Sequence, residues 1–116
     1  MKRYYEELAQ FAREGFQVIV DKTYEDIDPW DCLSECFDNK EQLYKDIDEG
    51  HWDWFMLRVR VLLDGHELAC EYLGGCMYAD AAEVLTDGTA EDTISEALVS
   101  ARREVFRLKT RLEEFA

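Results

Sequence analysis

The sequence predicts an α+β domain in which a small antiparallel sheet, a β-hairpin plus one further strand, packs against N- and C-terminal helices, with short acidic helices at one side. Three observations carry this. Residues 52–75 read WDWFMLRVRVLLDGHELACEYLGG, two alternating runs joined by Asp64-Gly65, a favoured two-residue hairpin turn. Phe16 to Val20 (FQVIV) is β-branched and partly alternating, as a short strand requires. From Ile94 to Phe115 the apolar residues are spaced four, three, four, three, four and three, which is a helical seam. The 116 residues, 47% hydrophobic with six glycines and one proline, are enough for one folded domain, 1–116, and too few for two cores.

Taken in chain order, residues 2–14 predict a first helix, because Tyr4, Leu8, Phe11 and Ala12 fall on one helical face and Gly15 can end it. After FQVIV, Asp28 before Pro29 forms an N-cap and first-turn pair, predicting a short helix from Pro29 to about Phe37. Asn39 caps a further helix through Asp48, which Gly50 stops. With Asp64-Gly65 as the turn, Leu63 faces His66, Val61 faces Leu68, Val59 faces Cys70 and Leu57 faces Tyr72. The opposite face then places Arg58 across from Glu71, with Arg60 diagonal to Glu67 and Glu71. Gly74 and Gly75 begin a connection, with a possible short helix over Asp80 to Leu85. The last helix starts at Thr89 or Ala90, where Thr89 and Asp92 have capping-box spacing. Its seam, Ile94, Leu98, Ala101, Val105, Leu108, Leu112 and Phe115, either packs on the sheet or pairs two copies, the former being the expected case.

Charge narrows the function. With 27 acids against 13 bases the formal net charge is -14, which opposes direct binding to nucleic acid or an anionic membrane. No stretch has the unbroken apolar length of a membrane span, and the opening MKRYYEELAQ lacks the pattern of a secretion signal. A cytoplasmic protein is expected, with Cys32, Cys36, Cys70 and Cys76 reduced.

The acids are unevenly distributed. Residues 21–53 hold twelve acids and three lysines, giving -9, whereas residues 100–116 hold five bases and three acids, giving +2. Asp28 and Asp31 have local work at a helix start. Asp46, Asp48 and Glu49 instead crowd a predicted helix end, where the dipole disfavours carboxylates by about 0.3–1 kcal/mol each. Carboxylates on neighbouring helical turns lie about 5–6 Å apart at Cβ, close to the spacing of successive phosphates. Asp31, Glu35, Asp38 and Glu41 form such a row, extended by Glu25, Asp26 and Asp28 and by Asp46, Asp48 and Glu49. Trp30, Trp52 and Trp54 flank it, and Trp30 is a candidate interface anchor. A row of this kind suits the basic groove of a nucleic-acid-binding protein. The bland alternative is a solvated acidic face.

Catalytic and metal patterns fail on spacing. Cys32 and Cys36 are one helical turn apart, but Cys70 and Cys76 complete no recognised zinc pattern with them or with His51 and His66. Neither DIDPWD nor DIDEGH supplies a calcium loop, and LGGC lacks the elements of a phosphate loop. No cofactor or metal and no enzymatic activity is expected.

Residues 46–110, and most specifically the WF before the strand that opens the hairpin and the YLGGCMY after it, resemble small proteins carried by bacteriophages and plasmids. The resemblance implies a defence inhibitor of the anti-restriction or anti-CRISPR type, some of which are acidic DNA mimics. The expected function is thus inhibition of a CRISPR effector or restriction enzyme in the bacterial host, by a protein more readily monomeric than dimeric. A homodimeric adaptor built on the terminal seam is the alternative, and a small metal- or cysteine-dependent enzyme the third reading.

Overall fold

The computed structural model describes residues 3–32 and 39–115. Its four strands form one antiparallel sheet in sequence order: β1 (Glu6–Arg13), β2 (Phe16–Tyr24), β3 (Asp53–Leu63) and β4 (His66–Tyr78). Between β2 and β3 lie α1 (Pro29–Cys32) and α2 (Lys40–Asp48). A short 3-10 turn, Ala81–Leu85, and the long helix α3 (Thr89–Glu113) follow β4. The α+β class is as expected from the sequence.

The N-terminal element is the main correction, being a strand where a helix was expected. Its helical periodicity rests on Leu8 and Phe11, yet Ala9 and Phe11 pair with Val20 and Val18, and Leu8 falls at a register shift between Glu7 and Ala9. Tertiary context decides: without β1, the outer row of β2 backbone groups would lack partners. Glu14 and Gly15, with φ of 55° and 85°, form the hairpin turn rather than a helix stop. Asp64 and Gly65, at 50° and 82°, make the equivalent turn between β3 and β4, as expected.

The second hairpin keeps the expected register only beside its turn. Leu63 pairs with His66 and Leu62 with Glu67, after which a shift leaves Val61 opposite Ala69, Val59 opposite Glu71 and Leu57 opposite Leu73. The expected pairings of Val61 with Leu68, Val59 with Cys70 and Leu57 with Tyr72 are each displaced by one residue. Glu71 consequently turns to the helix-covered face, where it accepts a hydrogen bond from Ser100 Oγ at 3.2 Å. A second shift between Phe55 and Leu57 accommodates Gly74 and Gly75, and β4 runs on through them to Tyr78.

β2 also runs past Val20, because Asp21 finds partners inside the sheet. Asp21, only 3% exposed, receives two hydrogen bonds from Arg58 at 2.8 and 2.6 Å, with Arg60 at 3.6 Å. Arg58 thus pairs across β2–β3 and not with Glu71. Tyr5 stacks over its guanidinium at 3.4 Å. The Tyr72 hydroxyl beyond, pushed up to about 12 chiefly by its hydrogen bond with Tyr5, completes this polar patch on the uncovered sheet face.

The other face carries the core. Val18, Val20, Leu57, Val59 and Val61 are fully buried against Ala90, Ile94, Ala97, Leu98 and Ala101 of α3, whose alanines permit close approach to the sheet. The α3 start differs from the expected capping box: Gly88 precedes it with φ of 93°, and the Thr89 N–H donates to Asp87 at 2.9 Å. Tyr78 donates to that same carboxylate at 2.5 Å. Arg13 to Glu91 and Arg102 to Glu14, at 2.5 and 2.7 Å, tie the first hairpin to the helix.

This topology separates two ends. Both hairpin turns lie at one end of the sheet, whereas the connection carrying α1 and α2 joins β2 to β3 at the other. Val105, Leu108 and Leu112 of α3 reach Leu63 and Leu68 at the hairpin end. The helix is about 37 Å long at 1.5 Å per residue and runs past the sheet there, within a molecule extending 61 × 31 × 24 Å.

Candidate functional site

The acidic connection is built on a folded base. Trp54, half-buried on β3, donates its indole N–H to the Ile27 carbonyl at 3.0 Å, fixing the chain that leaves β2. Asp28 Oδ1 accepts the Trp30 N–H at 2.9 Å, which starts α1 as the Asp-Pro pair predicts. Trp30 meets Tyr44 of α2 edge-on at 5.5 Å between ring centroids, and the Lys40 ammonium lies 4.1 Å over the Trp30 ring. An aromatic clasp therefore joins α1 to α2. Trp30 keeps one edge in solvent, whereas Trp52 and Trp54 are half-buried. Asn39 precedes α2, but its side chain makes no capping hydrogen bond.

On this base the predicted carboxylates divide into two sets. Glu25 and Asp26 look uncompensated in sequence, yet both are held. Glu25 Oε2 accepts the Gly75 N–H at 2.7 Å, and Asp26 pairs with Arg3 at 2.5 Å. The first contact explains the glycine before it as well: a Cβ at Gly74 would stand 2.7 Å from that same carboxylate oxygen. Asp28 is occupied by its cap and by the Tyr44 hydroxyl at 3.4 Å. Glu25 fastens the connection to the sheet and Asp26 fastens it to the segment before β1, across sequence separations that no local spacing reveals, whereas Asp28 works within the connection, at the start of α1 and against Tyr44.

The second set remains available. Asp31, Glu41 and Asp48 are exposed and have no ion-pair or hydrogen-bond partner among the described residues. Asp46 accepts from the Gln42 amide at 2.8 Å, and Glu49 lies 3.9 Å from Lys45 and 3.3 Å from His51. Asp46, Glu49 and His51 bring one ligand atom each to within 4.8 Å of one another, so negative charge is concentrated where α2 ends. Glu35 and Asp38, with the end of the helix expected to reach Phe37, lie outside the described residues.

Tyr44 registers this field. Its hydroxyl is raised chiefly by the Asp28 carboxylate, with burial, Asp48 and Asp31 adding to the effect. The folded chain therefore holds this proton at pH values where the unfolded chain releases it, so the contribution to stability declines as pH rises above 10. Neutralising Asp28 as Asp28→Asn should lower the phenol's ionisation pH, and Asp48→Asn should lower it less. Ultraviolet titration against a Tyr44→Phe reference reads both; equal or absent shifts would contradict the field assigned to these carboxylates.

Burial pushes the Cys76 thiol up to about 11 and raises Cys70 as well, the reverse of what a thiolate nucleophile requires. No helix among the described residues is long and apolar enough to cross a membrane.

No family model, curated protein or solved structure matches this chain.

Proposed function

We propose that the chain is a non-enzymatic inhibitor from a mobile element, acting in the bacterial cytoplasm, that binds a host nucleic-acid-binding defence complex and denies DNA access by presenting carboxylates in place of phosphates. The observation that carries this reading is the acidic surface of α1 and α2. There the carboxylates of Asp31, Glu41 and Asp48 have no partner among the described residues, and Asp46 and Glu49 crowd a helix end whose dipole opposes them. Local stability accounts for Asp31 and Glu41, each in the first turn of its helix, but not for Asp46, Asp48 and Glu49, for which a basic partner would account. The interface is narrower than the sequence row, since Glu25, Asp26 and Asp28 serve the fold. Trp30, clasped by Tyr44 and Lys40, is the aromatic anchor at its edge.

Such an interface inherits the salt dependence of the ligand it imitates. A partner that meets about six carboxylates as if they were phosphates should lose on the order of 10³ in affinity between about 0.05 and 0.2 M salt. The test immobilises the whole chain, loads it with a bacterial lysate containing CRISPR and restriction complexes, and elutes with stepped salt or with duplex DNA. Release of nucleic-acid-binding proteins by both eluents is the expected result. Retention that duplex DNA leaves untouched would mean that the carboxylates do not occupy a DNA site.

A further inference from the structure

The second half of α3 is the opposite of the acidic connection in place and in character. Val105 is the last seam residue packed on the core, and beyond it apolar side chains emerge into solvent: Leu112 is 67% and Phe115 75% exposed, beside Leu63 of the hairpin at 39%. Leu63, Leu68, Val105, Leu108 and Leu112 line an open groove of about 540 Å³ between helix and hairpin. We infer that the occupant of this face is a second copy of the chain, its α3 laid antiparallel across the first about a two-fold axis near Arg107.

Spacing, charge and area each favour a copy of the same chain. The exposed residues continue, without a break, the four-three repeat that packs on the sheet, and that repeat is the one helices use to interlock with one another. Residues 100–116 carry +2 in a chain of -14, so the hairpin ends can approach while the α1–α2 surfaces stay at the far ends of the pair. Beside the seam, antiparallel pairing centred on residues 105–108 brings Glu104 of each copy level with the segment from Lys109 to Arg111 of the other. Lys109, which makes no ion pair among the described residues, then meets Glu104 of the other copy beside the Arg107 that already holds that carboxylate at 3.0 and 2.6 Å, while Arg111 is held by Glu114 and Arg102 by Glu14. Taking roughly 200 Å² for a whole large side chain, the three exposed residues leave on the order of 400 Å² of apolar surface per copy. Doubled, and with an apolar share of about 60%, this reaches the ~1,200 Å² at which stable interfaces begin.

Sedimentation of the full chain across a micromolar concentration series reads the result directly. A species of twice 13.6 kDa is expected. The paired variant Leu112→Glu/Phe115→Glu, changed only at exposed positions, should return the mass to that of the monomer with the circular dichroism unaltered. Glu104→Arg and Lys109→Glu, five residues apart and so not neighbours on one helix, should each weaken the dimer at least tenfold, and their combination should restore it. That rescue occurs only if the partner is another copy. A monomer at every concentration, or a dimer indifferent to these changes, overturns the inference. So does a monomer that binds phosphatidylcholine vesicles through the same leucines, which would assign the face to a lipid surface.

Discussion

Replacing Asp21 with alanine is expected to lower the melting temperature by roughly 12 °C, on a destabilisation of about 3 kcal/mol and some 4 °C per kcal/mol for a domain of this size. The carboxylate sits 3% exposed in a central strand, takes two hydrogen bonds from Arg58 and stands 3.6 Å from Arg60. It pairs with two guanidinium groups at once, and it raises Arg58 further above an already basic ordinary value, chiefly through their hydrogen bonds. Removing it leaves both cations pressed on the sheet with no acid between them, and the Nε of Arg60 already has no hydrogen-bond partner among the described residues. Removing Arg58 together with Asp21, as Asp21→Ala/Arg58→Met, should recover much of the loss, because an apolar pair avoids the desolvation that a lone charge suffers. A single-variant shift under about 4 °C, or no recovery in the double, would show that the pair is solvated and contributes little.

That pair also marks where the sequence was legible and where it was not. Asp64-Gly65 and the seam from Ile94 declare themselves because turn chemistry and periodicity are local properties. Asp21 reads locally as the end of a strand and the start of an acidic segment; its partner is 37 residues away, reached only once β2 and β3 are side by side. Glu14-Gly15 ahead of FQVIV supplies the glycine of such a turn but not the Asp or Asn that marks it, so the β1–β2 hairpin has a weaker local signal than Asp64-Gly65. The helical spacing of Leu8 and Phe11 obscured it. The one-residue shift at Val61 has no local mark, since Leu68 alternates as well in either register. In the acidic segment, composition located the charge. Only the three-dimensional contacts divide it into Glu25, Asp26 and Asp28, which hold the connection in place, and Asp31, Glu41, Asp48 and their neighbours, which face outward.

Reversing three of those outward acids, as Glu41→Lys/Asp48→Lys/Glu49→Lys, is expected to weaken binding to the DNA-binding partner by at least about 100-fold, since like charges brought together at an interface cost several kcal/mol. The fold should scarcely respond. Lysine at Asp48 and Glu49 suits the end of α2, by about 0.3–1 kcal/mol each, against a similar loss at Glu41 in the first turn and the loss of a loose contact between Glu49 and Lys45. Binding and stability thus separate, which they would not do if the acids held the domain together. The control must match the charge change: Glu67→Lys/Glu83→Lys/Glu96→Lys reverses three acids that are equally exposed but lie outside the α1–α2 connection. A localised interface predicts that the control retains most of its affinity at moderate salt, where the Debye length of about 8–10 Å screens distant charges. Equal weakening by both sets would mean that the partner senses only the overall charge of -14, and that α2 has no special place in recognition.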